Sequence, residues 1–165
     1  MGMPRLPFNI GHRGYKAAFP ENSLAAFDGA VAAGAHAIET DLHLSRDGVV
    51  VLSHDASLKR CFGIDKLIAD CDWEYLRTLE TLRAPVQGMP CLADLLEWLN
   101  CPARERIWVV LDIKTDDDPD VLLPAIARTL VAVRPVVGGR DWRERIIVGG
   151  WNVSICLVPF VYCII

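Results

Sequence analysis

The stretch that decides the fold is residues 34–43, Gly-Ala-His-Ala-Ile-Glu-Thr-Asp-Leu-His. Within it a short apolar run, Ala37-Ile38, leads directly into the acidic side chains of Glu39 and Asp41. An earlier apolar run at residues 8–11 leads in the same way into polar residues. Each run is predicted to form a short strand whose end carries chemically active side chains.

A helix is predicted between these two strands. Three apolar side chains share one face of it: Leu24, Phe27 and Val31. Either Asn22 or Ser23 can cap its start, because both side chains can accept a hydrogen bond from the first backbone N–H groups of a helix. Gly34 stands where a glycine commonly ends a helix. Residues 8–43 are therefore predicted to form a strand–helix–strand unit.

The same alternation continues along the chain. The predicted elements are a strand at 49–52 after a turn at 46–48, a short helix near 72–79, an amphipathic helix at 92–99, a strand at 107–113, a helix capped by Asp118 and a strand at 146–148. Strands that alternate with helices are typical of parallel βαβ units. The residues therefore predict an α/β fold with a parallel sheet.

The composition excludes several classes of protein. The 165 residues include 17 basic and 21 acidic side chains, a formal net charge of −4, with no cluster of lysines and arginines, which argues against a nucleic-acid binder. The six cysteines form no Cys-x-x-Cys pair, so zinc-ribbon and thioredoxin-like sites lack their spacing. Nothing at the N-terminus resembles a secretory signal. Free thiols are therefore expected, in an intracellular protein of the cytoplasm or a membrane surface.

The last residues of the chain, 153–165, carry no charge. With the preceding residues from Ile146 they make an uncharged window of 20 residues, close to the length of a membrane span. Two glycines and Pro159 interrupt this window. A further strand, or a C-terminus foreign to the protein, is therefore expected here rather than a membrane anchor. Residues 1–152 are expected to form the domain.

Polar side chains follow four of the predicted strands. They are His12 and Arg13, Glu39 and Asp41, His54, and Asp112 and Lys114. In parallel α/β folds the carboxyl ends of the strands meet at one edge of the sheet, and functional sites are built there. Four polar strand ends therefore predict one site.

The acidic residues of this predicted site suit a hard cation. Glu39 and Asp41 are two positions apart on a strand, so both carboxylates project from one face. At a separation of about 7 Å and an effective dielectric near 20, they repel each other by roughly 2 kcal/mol. Asp112 adds a third carboxylate, and three oxygen donors fit Mg²⁺ or Ca²⁺ better than zinc. The alternative is that Glu39 and Asp41 are only solvated residues at a strand end.

Histidines supply candidate proton-transfer groups. His12 and His54 follow separate strands, and because imidazole titrates near neutral pH, two such rings can act as base and acid. The alternative is that both are structural histidines bonded to the backbone. His36 and His43 are interpreted as structural, although His43 lies on the same strand face as the acids.

Two cations are predicted at the same edge of the sheet. The guanidinium of Arg13 and the ammonium of Lys114 suit the oxygens of a phosphate group. The sequence has no Walker loop and no Gly-x-Gly-x-x-Gly motif after a strand. Nucleotide binding through those motifs is therefore not predicted.

Five motifs in consecutive order carry a family resemblance. They are Gly11-His-Arg-Gly14, Pro20-Glu-Asn-Ser-Leu24, Gly34-Ala-His-Ala-Ile-Glu-Thr-Asp41, Asp47-Gly-Val-Val-Val51 and His54-Asp55. Together they resemble the glycerophosphodiester phosphodiesterases. Leu111-Asp-Ile-Lys114, with the segments Trp142–Ile146 and Gly150-Trp151, looks most like the branch that acts as phosphatidylglycerol phospholipase C.

The resemblance implies a (β/α)8 TIM barrel that hydrolyses a glycerol-containing phosphodiester with one divalent cation, Mg²⁺ or Ca²⁺. For phosphatidylglycerol the products would be diacylglycerol and glycerol 3-phosphate. By motif position, the implied roles are His12 and His54 as the acid–base pair, Arg13 and Lys114 on the substrate phosphate, and Glu39, Asp41 and Asp112 as metal ligands. The family more often has glutamate where this chain has Asp112.

The length limits how much of such a barrel is expected. A TIM barrel typically takes about 250 residues, so four or five strands predict its N-terminal half followed by an atypical tail. Two alternatives to the hydrolase follow: a truncated, non-catalytic half-barrel, and a phospholipase resembling sphingomyelinase D, which the segment Pro20–Asn22 disfavours. The implied partners are a glycerophosphodiester or phosphatidylglycerol and a membrane surface, with no nucleic acid.

Overall fold

Five strands form one sheet within residues 8–150, the part of the chain that this computed structural model describes. The strands are β1 (Ile10–His12), β2 (Ala37–Leu44), β3 (Val50–Leu52), β4 (Trp108–Ile113) and β5 (Ile146–Gly150). β1, β2, β4 and β5 are neighbours in that order and run parallel. The predicted parallel sheet is therefore confirmed for these four strands.

Helices occupy the crossovers between the parallel strands. They are α1 (Leu24–Ala32), α2 (Lys59–Phe62), α3 (Trp73–Leu76), α4 (Leu92–Leu99) and α5 (Pro119–Ala132), with 3₁₀ turns at Ile68–Asp70, Pro102–Arg104 and Trp142–Glu144. Ser23 rather than Asn22 caps α1, because its hydroxyl accepts a hydrogen bond from the Ala26 N–H at 3.2 Å. Asp118 caps α5 as predicted.

This alternation is the repeating unit of a TIM barrel. A helix lies between each two successive parallel strands of the described region, and the later strand joins the same edge of the sheet: α1 follows β1, α4 precedes β4, and α5 links β4 to β5. The chain is therefore an α/β protein that forms part of a (β/α)8 barrel. The predicted fold class is confirmed.

The direction of β3 differs from the parallel arrangement that the alternation of strands and helices predicts. β3 runs antiparallel to β2, with Leu42 opposite Leu52 and Leu44 opposite Val50. The reason is that β2 continues past its acidic residues to Leu44, and the chain then turns back through Gly48, which has a φ of +81° that favours glycine. The hairpin therefore returns the chain to the level of the acids just before His54.

Two apolar clusters stabilise the fold. The larger lies between the sheet and helices α1, α4 and α5, and includes Phe27, Leu96, Leu111 and Ile126. The smaller lies under the long connection from β3 to α4 and includes Leu58, Leu76 and Met89. The cysteines of the described region, Cys61, Cys71, Cys91 and Cys101, are free thiols.

Replacing Leu96 with alanine is expected to lower the free energy of unfolding by about 2–5 kcal/mol, because Leu96 is fully buried in the larger cluster and a cavity would remain. Leu82→Ala is the matched control, since Leu82 is 68% exposed and should change stability by less than about 0.5 kcal/mol. Urea titration followed by circular dichroism measures both. Equal effects of the two substitutions would contradict the assignment of the core.

No helix between residues 8 and 150 is long and apolar enough to cross a membrane. The predicted tail, residues 153–165, lies outside the described residues, as do Cys156 and Cys163.

Candidate active site

The sheet register brings the predicted strand ends together. His12 lies opposite Glu39 in the pairing of β1 with β2, and Asp41 lies opposite Asp112 in the pairing of β2 with β4. Because these strands are parallel, the four side chains belong to one end of the sheet. The structure therefore assembles residues that are up to 100 positions apart in the sequence into one site.

Three carboxylates converge at the centre of this site. Glu39, Asp41 and Asp112 each offer an oxygen, and the three oxygens lie within 4.8 Å of one another. Two oxygens on opposite sides of a Ca²⁺ ion, each at about 2.4 Å, are about 4.8 Å apart, so one cation fits among them. This all-oxygen set of ligands can hold Mg²⁺ or Ca²⁺.

Two cations neutralise the carboxylates. The Lys114 ammonium lies 2.6 Å from Oδ1 of Asp41 and also contacts Asp112. The Arg13 guanidinium lies 3.2 Å from Oδ2 of Asp41 and 3.1 Å from Oε1 of Glu21. Burial alone would raise the pKa of Asp41, but Lys114, the Asn22 amide and Arg13 outweigh burial and hold that pKa below its ordinary value.

Glu39 has the opposite electrostatic environment. Burial and the neighbouring charges of Asp41 and Asp112 raise its pKa to about 7, although the Arg13 N–H donates a hydrogen bond to its carboxylate at 2.9 Å. At neutral pH and without a cation, the Glu39 side chain is therefore partly protonated. A proton and a metal ion compete for the same oxygens.

The affinity for a divalent cation is therefore expected to rise with pH. Below pH 7 a cation must displace the Glu39 proton, and above pH 7 the carboxylate is already free. For a single competing proton, binding should be roughly tenfold tighter at pH 8 than at pH 6. Calorimetric titration with Ca²⁺ at both pH values measures this ratio. Glu39→Gln should bind more weakly and lose the pH dependence, and an unchanged ratio in that variant would contradict the competition.

His12 stands at the edge of the carboxylate cluster. Its Nε2 atom is 3.8 Å from Oε2 of Glu39, and its Nδ1 atom is 3.1 Å from the Lys16 ammonium. Partial burial and the positive charges of Lys16 and Arg13 hold the pKa of His12 below its ordinary value. This lowered pKa favours the neutral ring, which is the form that can accept a proton.

His54 is joined to Arg13 by a chain of charged side chains. Its Nδ1 atom lies 2.7 Å from Asp55, and Asp55 accepts a hydrogen bond from Arg60 at 2.6 Å. Arg60 also donates to Glu21 at 2.7 Å, and Glu21 pairs with Arg13. The hydrogen bond from Arg60 lowers the pKa of Asp55 to about 2, so Asp55 stays ionised and orients the His54 ring.

Sequence reasoning missed the role of Asn22. Its amide donates to Oδ2 of Asp41 at 2.9 Å, and its carbonyl oxygen accepts from the Thr40 hydroxyl at 2.8 Å. Asn22 has a φ of +55°, a left-handed conformation that asparagine tolerates better than most residues. Asn22 thus fixes the central carboxylate, while the adjacent Ser23 caps the helix. The signal was its place in the family motif Pro20-Glu-Asn-Ser-Leu24, although Asn22 itself was predicted only as a possible helix cap.

A cavity of about 190 Å³ opens beside His54. Its lining combines the segment Pro20–Asn22, the end of β3 and the loop before α4. Apolar groups from Leu52, Phe62 and Pro90 face polar groups that include Arg60. The cavity can therefore receive a group that is partly polar and partly apolar.

Fold and site together define the class of protein: part of an α/β barrel that gathers carboxylates, basic groups and imidazoles at the ends of its strands. A family model described as the glycerophosphoryl diester phosphodiesterase family matches residues 12–158. The chain belongs to this family.

Curated relatives agree with this assignment. Glycerophosphodiester phosphodiesterase domain-containing protein 4 of Macaca fascicularis is 32% identical over 158 residues, covering 77% of this chain and 25% of the relative. A glycerophosphodiester phosphodiesterase of Bacillus altitudinis is 39% identical over 110 residues, covering 64% of this chain and 44% of the relative. The chain spans less than half the length of these relatives.

Solved structures share the fold. A glycerophosphodiester phosphodiesterase from Thermotoga maritima is 27% identical with a TM-score of 0.66, and the match covers 92% of this chain and 57% of that one. A phosphodiesterase from Oleispira antarctica, solved in complex with the product sn-glycerol-3-phosphate, has a TM-score of 0.76 at 23% identity, covering 93% and 61%.

Proposed function

We propose that this chain hydrolyses glycerophosphodiesters in the presence of a divalent cation and releases glycerol 3-phosphate. The observation that carries the proposal is the convergence of oxygens from Glu39, Asp41 and Asp112 within 4.8 Å. Lys114 contacts Asp41 and Asp112, and the Arg13 guanidinium contacts Asp41. Membership of the family supports the reaction class. The sn-glycerol-3-phosphate bound to the Oleispira antarctica relative supports the product.

The charged residues bind the phosphate group. Glu39, Asp41 and Asp112 would hold Mg²⁺ or Ca²⁺, which when bound would stabilise negative charge on the non-bridging phosphate oxygens. A cation held by these carboxylates would balance the charge of Asp41 and Asp112, and the Lys114 ammonium could then donate to a phosphate oxygen. The Arg13 guanidinium contributes a second set of donors.

The histidines move the protons. His12, whose lowered pKa favours the neutral ring, takes a proton from the attacking oxygen, which belongs to water or to a neighbouring glycerol hydroxyl. A bond forms between that oxygen and phosphorus while the bond to the departing alcohol breaks. His54, oriented by Asp55, gives a proton to the departing alcohol oxygen. If the attacking oxygen is a glycerol hydroxyl, this step forms a cyclic phosphate, and a water molecule opens that ring in a second step. By either route the net change is the addition of one water molecule across the phosphodiester.

Phosphatidylglycerol is the proposed lipid substrate, on the likeness of Leu111-Asp-Ile-Lys114 to the phospholipase C branch. The segment Trp142–Ile146, which belongs to the same likeness, has a structural role here. Its Trp142 indole donates to the Val133 carbonyl at 2.6 Å, and its Arg145 side chain is buried against backbone carbonyls. The choice of headgroup therefore depends on the cavity beside His54. Its 190 Å³ exceeds the roughly 150 Å³ that holds benzene, so a glycerol headgroup fits.

In the test, the purified chain is incubated with glycerophosphocholine, with phosphatidylglycerol vesicles or with sphingomyelin vesicles. Each incubation contains Mg²⁺, Ca²⁺ or excess EDTA. Glycerol 3-phosphate is measured by a coupled enzymatic assay, and vesicle binding by sedimentation. We expect release from the glycerol-containing substrates that EDTA abolishes. Release of a product from sphingomyelin alone would favour the sphingomyelinase-like alternative, and no release from a folded sample would overturn the proposal.

A non-catalytic half-barrel is the second candidate, because the chain spans less than half the length of the relatives above. This candidate predicts that the carboxylates bind a cation but that no substrate is turned over. Calorimetric binding of Ca²⁺ without release of glycerol 3-phosphate would therefore select it over the hydrolase.

A further inference from the structure

We propose that His43 is a positioning residue that ties His54 to the loop after β4, and so fixes two groups of the site with one buried ring. The inference rests on the proposed function, in which His54 transfers a proton. In the sequence analysis, His43 is interpreted as a structural histidine.

The contacts of the His43 ring reach two separate loops. The side chain is only 2% exposed, and its Nδ1 atom lies 2.6 Å from Oδ2 of Asp117. Its Nε2 atom lies 3.3 Å from the backbone carbonyl of His54. Asp117 belongs to the loop between β4 and α5, which begins with Lys114. One ring therefore connects the end of β2 to the chain segments that carry His54 and Lys114.

Asp117 completes this connection by also holding the backbone. Its Oδ1 atom accepts a hydrogen bond from the Leu44 N–H at 3.1 Å, while Oδ2 faces the His43 ring. A carboxylate that bonds both a ring and the adjacent backbone fixes the orientation of that ring. The loop after β4 is thus held to the last residues of β2 by two contacts, both from Asp117.

The segment that carries His54 is held to β2 at two successive points. The Ser53 N–H donates to the Asp41 carbonyl at 3.1 Å. The backbone carbonyl of the following residue, His54, accepts a hydrogen bond from the His43 ring. The first contact fixes where the hairpin strand ends. The second fixes the peptide plane after His54, and with it the direction in which the His54 side chain leaves the backbone.

The geometry of the ring explains why a histidine is used. Both partners, a carboxylate and a carbonyl, accept hydrogen bonds, so each ring nitrogen serves as a donor. An asparagine places one amide donor near the position of Nδ1, whereas a glutamine places one near the position of Nε2. These two substitutions therefore separate the contact with Asp117 from the contact with His54.

The experiment compares His43→Asn with His43→Gln in the full chain. Imidazole signals of His54 are followed by NMR at fixed pH, with His36 as an internal reference, and kcat and KM are measured with glycerophosphocholine. His43→Asn should shift or broaden the His54 signals and lower kcat by about tenfold to a hundredfold, with KM within about twofold. His43→Gln should restore both properties toward those of the unmodified chain.

The NMR measurement needs no turnover, so it decides the proposal even if the chain hydrolyses nothing. His54 signals that are the same in His43→Asn as in the unmodified chain would overturn the positioning role, as would equal changes in both variants. If His43→Asn does not fold, Asp117→Asn takes its place. Asp117→Asn keeps the His43 ring but weakens the contact between that ring and residue 117. Unchanged His54 signals in this variant would overturn the proposal.

Discussion

Replacing Asp41 with asparagine is expected to reduce the hydrolysis of glycerophosphocholine by about a hundredfold to a thousandfold. Asp41 is fully buried, and its carboxylate contacts Lys114, Arg13 and Asn22. The asparagine has nearly the same shape and can still accept the hydrogen bond from Asn22, but it lacks the charge that would hold a cation and balance Lys114. The loss should therefore appear in kcat and in cation affinity together.

The matched control is Asp65→Asn, because the Asp65 side chain is 86% exposed and pairs only loosely with Lys59, at 3.6 Å. This control should keep full activity and full cation affinity. Circular dichroism and thermal unfolding establish that both variants are folded. A folded Asp41→Asn variant with more than about a tenth of the original kcat would contradict a central role for this carboxylate.

Replacing either His12 or His54 with alanine is expected to lower kcat by about a hundredfold to ten-thousandfold, because each ring is proposed to carry one proton in the reaction. Affinity for the cation should change little in His54→Ala, whose ring contacts Asp55 rather than the carboxylate cluster. Initial rates of glycerol 3-phosphate release, measured at saturating substrate, give the comparison.

His36→Ala is the control for these two variants. His36 accepts a hydrogen bond from the Asn9 N–H at 3.1 Å and lies just before β2, at the opposite end of that strand from Asp41. Its removal should leave kcat unchanged. If His36→Ala and His12→Ala lost activity to the same extent, the effect would belong to the fold rather than to proton transfer.

The parts of the site that the sequence predicted depend on strand periodicity. Glu39 and Asp41 alternate along one strand, and Asp112 ends another, so parallel pairing alone brings the three acids together. The cap of α5 was also predictable, because an aspartate at that position satisfies the first N–H groups of a helix. For α1 the sequence left Asn22 and Ser23 as alternatives, and the structure selects Ser23.

The direction of β3 was not predictable from its residues. An apolar run of valines and leucine is compatible with a parallel or an antiparallel partner. The direction of β3 is decided by the length of β2, which continues to Leu44. The polar residues Glu39, Thr40 and Asp41 suggest that β2 ends earlier, so this length could not be predicted. His54 thus reaches the predicted edge of the sheet through a hairpin and not through a crossover.

The contact between His43 and Asp117 could not be predicted from the sequence, for a different reason. The two residues are 74 positions apart, and Asp117 is the middle of three consecutive aspartates. Nothing in that run distinguishes the side chain that turns inward from its neighbours. Packing of the loop against the end of β2 determines that Asp117 is the aspartate that contacts His43 and Leu44.

The most direct test of this account is the position of a bound cation. Crystals soaked in Mn²⁺ would be measured at a wavelength where manganese scatters anomalously. We expect one strong anomalous peak bounded by the carboxylates of Glu39, Asp41 and Asp112, with the Lys114 ammonium displaced from Asp41. Manganese bound elsewhere, with Lys114 and Arg13 still paired with Asp41, would contradict this expectation.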